Sequence, residues 1–230
     1  MNDKHYNPVI AARLRKIADG RQWPDLLSYL DSLSNAQFRT AGYVLGERIM
    51  PELEDDDFWQ LATLLVGYNA KAFLVTVLKS WTASNATRRL DPVPPFFQTL
   101  RGREEDQRKS LMVLLPVLRL PSDIRNLLVA MDISEPKRIV TLLLQSHLTE
   151  ASAFVLTTTL LQLEDDRPLL IRVTHYLMKQ GGNLAFNTAS LLRTFFGLEE
   201  VSGVFSLKLQ PFQLSRIVTD FAAFCKTVSL

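Results

Sequence analysis

The stretch GYNAKAFLVTVLKSW, residues 67–81, decides the fold. Its third residue, Asn69, is a helix starter, because a short amide side chain accepts from the backbone N–H groups of a first turn. Ala70, Phe73, Leu74, Val77, Leu78 and Trp81 follow at spacings of three and four, which is one face of an α-helix. Upstream, Asp55, Asp56 and Asp57 precede Phe58, Leu61, Ala62 and Leu65. Carboxylates there suit a helix N-terminus, where the backbone dipole favours negative charge. Residues 55–81 therefore read as helix, Gly-x-Asn turn, helix.

The same grammar extends in both directions. Val9–Ala18 predicts a helix that Gly20 ends. Trp23, Leu26, Leu27, Leu30 and Leu33 form one helical face. Ser34 and Gln37 make a capping box for the stripe Phe38, Ala41, Gly42, Leu45 and Ile49, and Pro51 ends it. Downstream, Arg103–Leu118 predicts a helix kinked or ended by Pro116, and Ser122 and Asp123 start a short one ending near Met131. Ser134 caps the next, with Pro136 in its first turn. Ile139–Leu144 is apolar nearly all round, which predicts a central helix.

Thr149 and Glu150 open a helix through Leu161. Asp165, Asp166 and Pro168 open another, with Leu169, Leu170, Val173, Tyr176 and Leu177 inward, ended by Gly181 and Gly182. Asn183 caps a helix through Phe196. Val201–Leu209 alternates like an extended connector, and a last helix from Pro211 carries Leu214, Ile217, Val218, Phe221, Ala222, Cys225 and Val228 on one face. The expected fold class is all-α. About a dozen helices stack as antiparallel hairpins, either an α-solenoid resembling a HEAT array or an irregular multi-helix bundle.

One internal echo supports hairpins. Leu53-Glu54-Asp55-Asp56 recurs as Leu163-Glu164-Asp165-Asp166, an offset of 110. Gly67, Asn69, Leu78, Lys79, Ser80 and Trp81 match Gly181, Asn183, Leu192, Arg193, Thr194 and Phe195 at an offset of 114. The four extra residues amount to about one helical turn.

The helical pattern nearly stops between Thr82 and Lys109, TASNATRRLDPVPPFFQTLRGREEDQRK. Pro92, Pro94 and Pro95 lie here, with Asp91-Pro92 expected to cap a short helix through Phe96 and Phe97. The expected organisation is an N-terminal hairpin block over 1–82, a Pro/Arg-rich junction over 83–109 and a C-terminal helical block over 110–230, forming one continuous unit.

Composition narrows the function classes. The net charge of +2 is too small to argue for nucleic acid or acidic lipid by itself. The single cysteine, Cys225, allows no intrachain disulfide, and no secretory signal pattern opens the chain. The longest apolar runs, such as Leu111–Leu118, fall short of the roughly 20 residues that cross a bilayer. These features lead us to expect a cytoplasmic protein without membrane insertion.

Few residues form a chemical constellation. His5, His147 and His175 have no partner at metal-motif spacing, so neither a metal nor another cofactor is expected. Cys225 on an inward face reads as an inert thiol. Gly181-Gly182-Asn183 lacks the spacing and Lys of a P-loop. The strongest lead is basic. Arg88 and Arg89 precede the prolines, and Arg101, Arg103, Arg108 and Lys109 follow them, with Phe96 and Phe97 between. Guanidinium groups beside exposed aromatics can hold phosphates and stack on bases. Against this, Glu104, Glu105 and Asp106 lie where Arg108 or Lys109 can pair with them.

The expectation is a non-catalytic helical module for protein–protein interaction or scaffolding, with a protein partner or a second copy of itself. The first alternative is a nucleic-acid-binding helical repeat using residues 88–109. The second is a Mg²⁺-dependent all-α enzyme using the two acidic runs, although their consecutive carboxylates point around the helix.

Overall fold

A computed structural model describes residues 7–84, 90 and 92–201. The described residues contain ten α-helices and no strand, so the chain is all-α, as expected. It divides into two compact units, Met1–Ile133 and Ser134–Leu230. The proposed final helix, Cys225, Arg88, Arg89, Asp91, His5 and most of Val201–Leu209 lie outside the described residues.

In the first unit, α1 (Pro8–Asp19) starts where Asn7 Oδ1 accepts from the amides of Val9 and Ile10. Next come α2 (Trp23–Asp31) and α3 (Asn35–Val44). The predicted capping box opens α3: the Gln37 amide donates to Ser34 Oγ and the Ser34 amide to Gln37 Oε1. Beyond α3 the chain widens into a π-helical turn, Leu45–Ile49, then tightens into a 3₁₀ turn, Met50–Glu52, containing Pro51. Gly46 is required in the wide turn, because a Cβ there would stand 2.4 Å from Thr76 Cγ2.

The helix that follows, α4 (Asp55–Ser84), is broken at Asn69, whose backbone is extended at φ −155°, ψ 88°. Trp59 and Trp81 are twenty-two residues apart, about 33 Å along an unbroken helix. Their rings nonetheless sit 5.8 Å apart. The chain therefore doubles back at Asn69, and α4 is a hairpin with limbs 55–68 and 70–84. Asn69 Oδ1 accepts from the Ala72 amide and so caps the second limb, as expected. Phe38 of α3 wedges into the elbow, 6.4 Å from Tyr68 and 5.4 Å from Phe73.

A 3₁₀ helix, Pro95–Leu100, then leads to α5 (Glu104–Leu114) and α6 (Pro121–Ala130). It packs on α4, so the central segment belongs to the first unit.

The second unit comprises α7 (Pro136–Leu144), α8 (Glu150–Leu161), α9 (Arg167–Gln180) and α10 (Asn183–Phe195). Its central helix is α8, not α7. On α8 Ala151, Ser152, Ala153, Val155, Leu156, Thr157, Thr159 and Leu160 are all buried, whereas α7 buries only Val140, Leu142 and Leu143. The hydroxyls of Thr157 and Thr159 donate to the carbonyls of Ala153 and Val155 in the preceding turn, so these polar residues enter the core already satisfied. Thr149 and Ser152 form the cap of α8.

Three local expectations in this unit are corrected. The N-cap of α7 is Glu135 rather than Ser134, and it makes no side-chain cap. Asn183 is the first residue of α10, capped by Gly182. Tyr176 is 44 % exposed, and its hydroxyl donates to the Leu144 carbonyl at the end of α7 while Thr174 takes the inward place.

Candidate functional site

The aromatic residues of the central segment lie inside the first unit. Phe96 and Phe97 are 1 % and 0 % exposed, so the expectation that they stand exposed beside the arginines is corrected. The physical reason is Trp59. It lies one position off the buried stripe of the first α4 limb and is half-buried. Its ring meets Phe96 at 5.3 Å, Phe97 at 5.4 Å, Trp81 at 5.8 Å and Phe58 at 5.0 Å. Phe96 and Phe97 meet edge to face at 5.1 Å. Tilted and edge-on pairs at such distances add to the burial energy of each ring. The diphenylalanine closes the open side of the hairpin.

The basic residues following it are spent on the protein itself. Arg101 Nε donates to the Ala130 carbonyl at 3.0 Å, a cation on the free carbonyls that end α6. Arg103 pairs with Asp106 at 2.7 Å. Arg108 pairs with Glu105 at 2.7 Å, and Lys109 reaches the same carboxylate at 3.4 Å. These partners pull the Glu105 carboxyl down to about 2 and raise the Arg108 guanidinium. The helix-spaced pairing read from the sequence is thus formed, and the buried phenyl rings offer no stacking platform for bases.

Sequence reasoning missed Gln107. It is 1 % exposed on α5, and its Nε2 donates to the Leu100 carbonyl at 3.0 Å and the Met131 carbonyl at 2.8 Å. One amide thereby ties the end of the 3₁₀ helix to the end of α6. A Gln inside a charged run carries no signal of burial, so only the packing reveals it.

The acidic runs are divided in use. Asp57 accepts from Arg21 at 2.6 Å. Asp166 accepts the Leu169 amide at the start of α9 and pairs with Lys137 at 2.8 Å, and these partners lower its carboxyl. Among the described residues, no three His, Cys, Asp or Glu side chains group closely enough to hold one metal ion. His147 is exposed after α7, and His175 is half-buried on α9.

Asp55 and Asp56 face a cavity of about 680 Å³ in the first unit. Trp59, Gln60 and Thr63 continue its wall along the first limb of α4, and Trp81 contributes from the second. Leu90, Pro92, Val93, Pro94, Pro95 and Phe96 make the opposing wall. The position of the groove follows from the sequence. Prolines cannot continue a helix, so the chain runs from Pro92 to Pro94 without helical structure before the 3₁₀ turn begins. The spacing between that run and the limb, propped by Phe96 on Trp59, leaves the concavity. Gln60 is fixed across the limb, its Oε1 accepting from Trp23 Nε1 at 3.1 Å.

Compared with known proteins, the chain matches no family model, no curated protein and no solved structure.

Proposed function

We propose that this chain is a non-catalytic interaction module and that the groove between α4 and the Pro92–Phe96 run receives a segment of a partner protein. The observation that carries this reading is the lining of the groove. Indole, phenyl, leucine, valine and three proline surfaces bound about 680 Å³, with Gln60, Thr63 and two carboxylates as the polar groups among the described lining residues. Its size matches that of sites which enclose a compact ligand or a few side chains, and mostly apolar walls with a few polar groups are what such sites share. Rigid rings and prolines keep the wall preformed, so little ordering entropy opposes binding.

The test places a photo-crosslinking amino acid at the exposed lip position 63 in living cells. The expected product is an adduct to one protein, mapped to a short segment and lost when Val93→Asp charges the opposite wall. Absence of any adduct from a folded protein, or an adduct indifferent to Val93→Asp, overturns the reading.

A further inference from the structure

Building on the interaction-module reading, we infer that the segment received by this groove is rich in proline and docks as an extended polyproline II helix. The first α4 limb brings two unused N–H donors to the groove wall. Gln60 Oε1 accepts from Trp23 Nε1 at 3.1 Å, which turns Gln60 Nε2 the other way. Trp59 meets four rings, and its own nitrogen is a second donor. Among the described residues neither Gln60 Nε2 nor the Trp59 indole N–H finds an acceptor. Gln60 is exposed, and half-buried Trp59 keeps its nitrogen within reach of solvent. Thr63 Oγ1 already donates to the Trp59 carbonyl at 2.8 Å, so its hydroxyl offers a ligand only lone pairs.

Around these donors the lining is indole, Val93 and the rings of Pro92, Pro94 and Pro95. A fitting ligand therefore supplies free carbonyl oxygens beside apolar bulk. An α-helix does not, because the carbonyls of its body accept from its own amides. A β-strand frees carbonyls but brings as many N–H groups, which need a facing ladder. Prolines cannot donate to such a ladder, so the far wall is no sheet edge. A polyproline II segment has no internal hydrogen bonds, so its carbonyls stand free. Each proline adds ring surface, lacks an N–H that would need an acceptor and arrives with φ already fixed. Docking such a segment in an aromatic-lined groove is a recurrent mode of peptide recognition. The far wall itself shows that this backbone packs here. Pro94 has φ −58° and ψ 139°, polyproline II values, and lines the groove with Trp59.

The experiment uses the full chain and two neutral peptides, acetyl-Pro-Leu-Pro-Pro-Leu-Pro-amide and the same sequence with alanine at every proline. Binding is read by tryptophan fluorescence and by the ¹H–¹⁵N resonances of the Trp59 indole and of backbone residues 59–63. The proline peptide is expected to bind about tenfold more tightly, because it has less freedom to lose. At saturation the Trp59 indole proton is expected to move downfield as it gains an acceptor. Gln60→Glu keeps an oxygen for Trp23 and removes the second donor. It is expected to weaken the proline peptide about fivefold, the size of one neutral hydrogen bond.

Equal affinity for the two peptides, or binding of neither, overturns the proline inference. An indole resonance that stays in place at saturation overturns it as well, and so does a proline peptide indifferent to Gln60→Glu. The crosslinking at position 63 separates this inference from the reading beneath it. An adduct to a segment without proline sinks the inference and leaves the module reading intact, whereas absence of any adduct brings down the module reading itself.

Discussion

In α4 a single residue, Asn69, turns the chain, whereas between α9 and α10 two glycines do so, Gly181 at φ 73° and Gly182 at φ 84°. Both hairpins arise from the same sequence device, an acidic start, a helix, a Gly-x-Asn turn and a second helix. They differ in what closes them. Trp81 of the first hairpin is 3 % exposed beneath the diphenylalanine, whereas its counterpart Phe195 is 38 % exposed. The second hairpin is fastened at its open end by Arg167, which grips Glu200 at 2.8 and 2.7 Å and the Gly197 carbonyl at 3.0 Å. The comparison teaches that local grammar makes a hairpin, while residues from elsewhere in the chain decide whether it ends in a packed core or an ion pair.

If the first hairpin depends on its aromatic seal, the largest loss comes from removing it. Phe97→Ala is expected to destabilise the protein by about 4 kcal/mol, the cost of deleting a fully buried ring. Chemical denaturation measures it, and a loss below about 1 kcal/mol means that the ring does not seal the core. Gly46→Val tests the close approach of the wide turn to Thr76. Overpacking at that contact is expected to cost about 2–3 kcal/mol, and Thr76→Ala in the same chain is expected to recover part of it.

Gln107→Leu takes the side-chain donor from the Met131 carbonyl, while the Leu100 carbonyl keeps the Arg103 amide at 3.1 Å. An expected loss of about 2 kcal/mol follows from stranding a buried acceptor and cutting the tie between the two helix ends. At the turns the effects are smaller. Gly182→Ala forces a left-handed backbone on a side chain, for about 1 kcal/mol. Asn69→Ala, at an extended backbone that any residue adopts, loses only the cap, also about 1 kcal/mol.

The smallest effect is electrostatic and belongs to the second hairpin. Hydrogen bonds from Lys137 and the Leu169 amide lower the Asp166 carboxyl, and Arg167 lowers Glu200. A depressed folded-state value means that the unfolded chain takes up the proton first. These contributions are therefore fully present above the ordinary carboxylate range and are lost as pH falls through the lowered values. Asp166→Asn is expected to flatten the fall of stability with acid. An unchanged acid slope in hydrogen exchange of α9 and α10 contradicts the role given to Asp166.

Much of the fold was legible because it rests on local signals. The Ser34–Gln37 box, the acid run before Phe58 and the caps at Asn69 and Thr149 each act within one turn, and all are found where their residues predict. What escaped depends on distant partners. Phe96 and Phe97 look like surface aromatics because they sit among prolines and arginines, and Trp59, which buries them, lies nearly forty residues away. Arg101 looks like a phosphate ligand until the end of α6 claims it. The threonines of α8 disguise the central helix as a polar one, since nothing in composition announces that their hydroxyls turn back to their own backbone. The groove was invisible for the same reason: its two walls are separated in sequence by the whole second limb of α4.

The turn at Asn69 also changes how the chain measures against a lipid bilayer. By length and composition Asp55–Ala83 is long and apolar enough to cross one. Folded back, each limb extends only about 21 Å at 1.5 Å per residue, against a hydrocarbon core of about 30 Å. The leucines, valines and tryptophans that suggest a span are stacked limb on limb, and one asparagine amide converts apparent length into thickness.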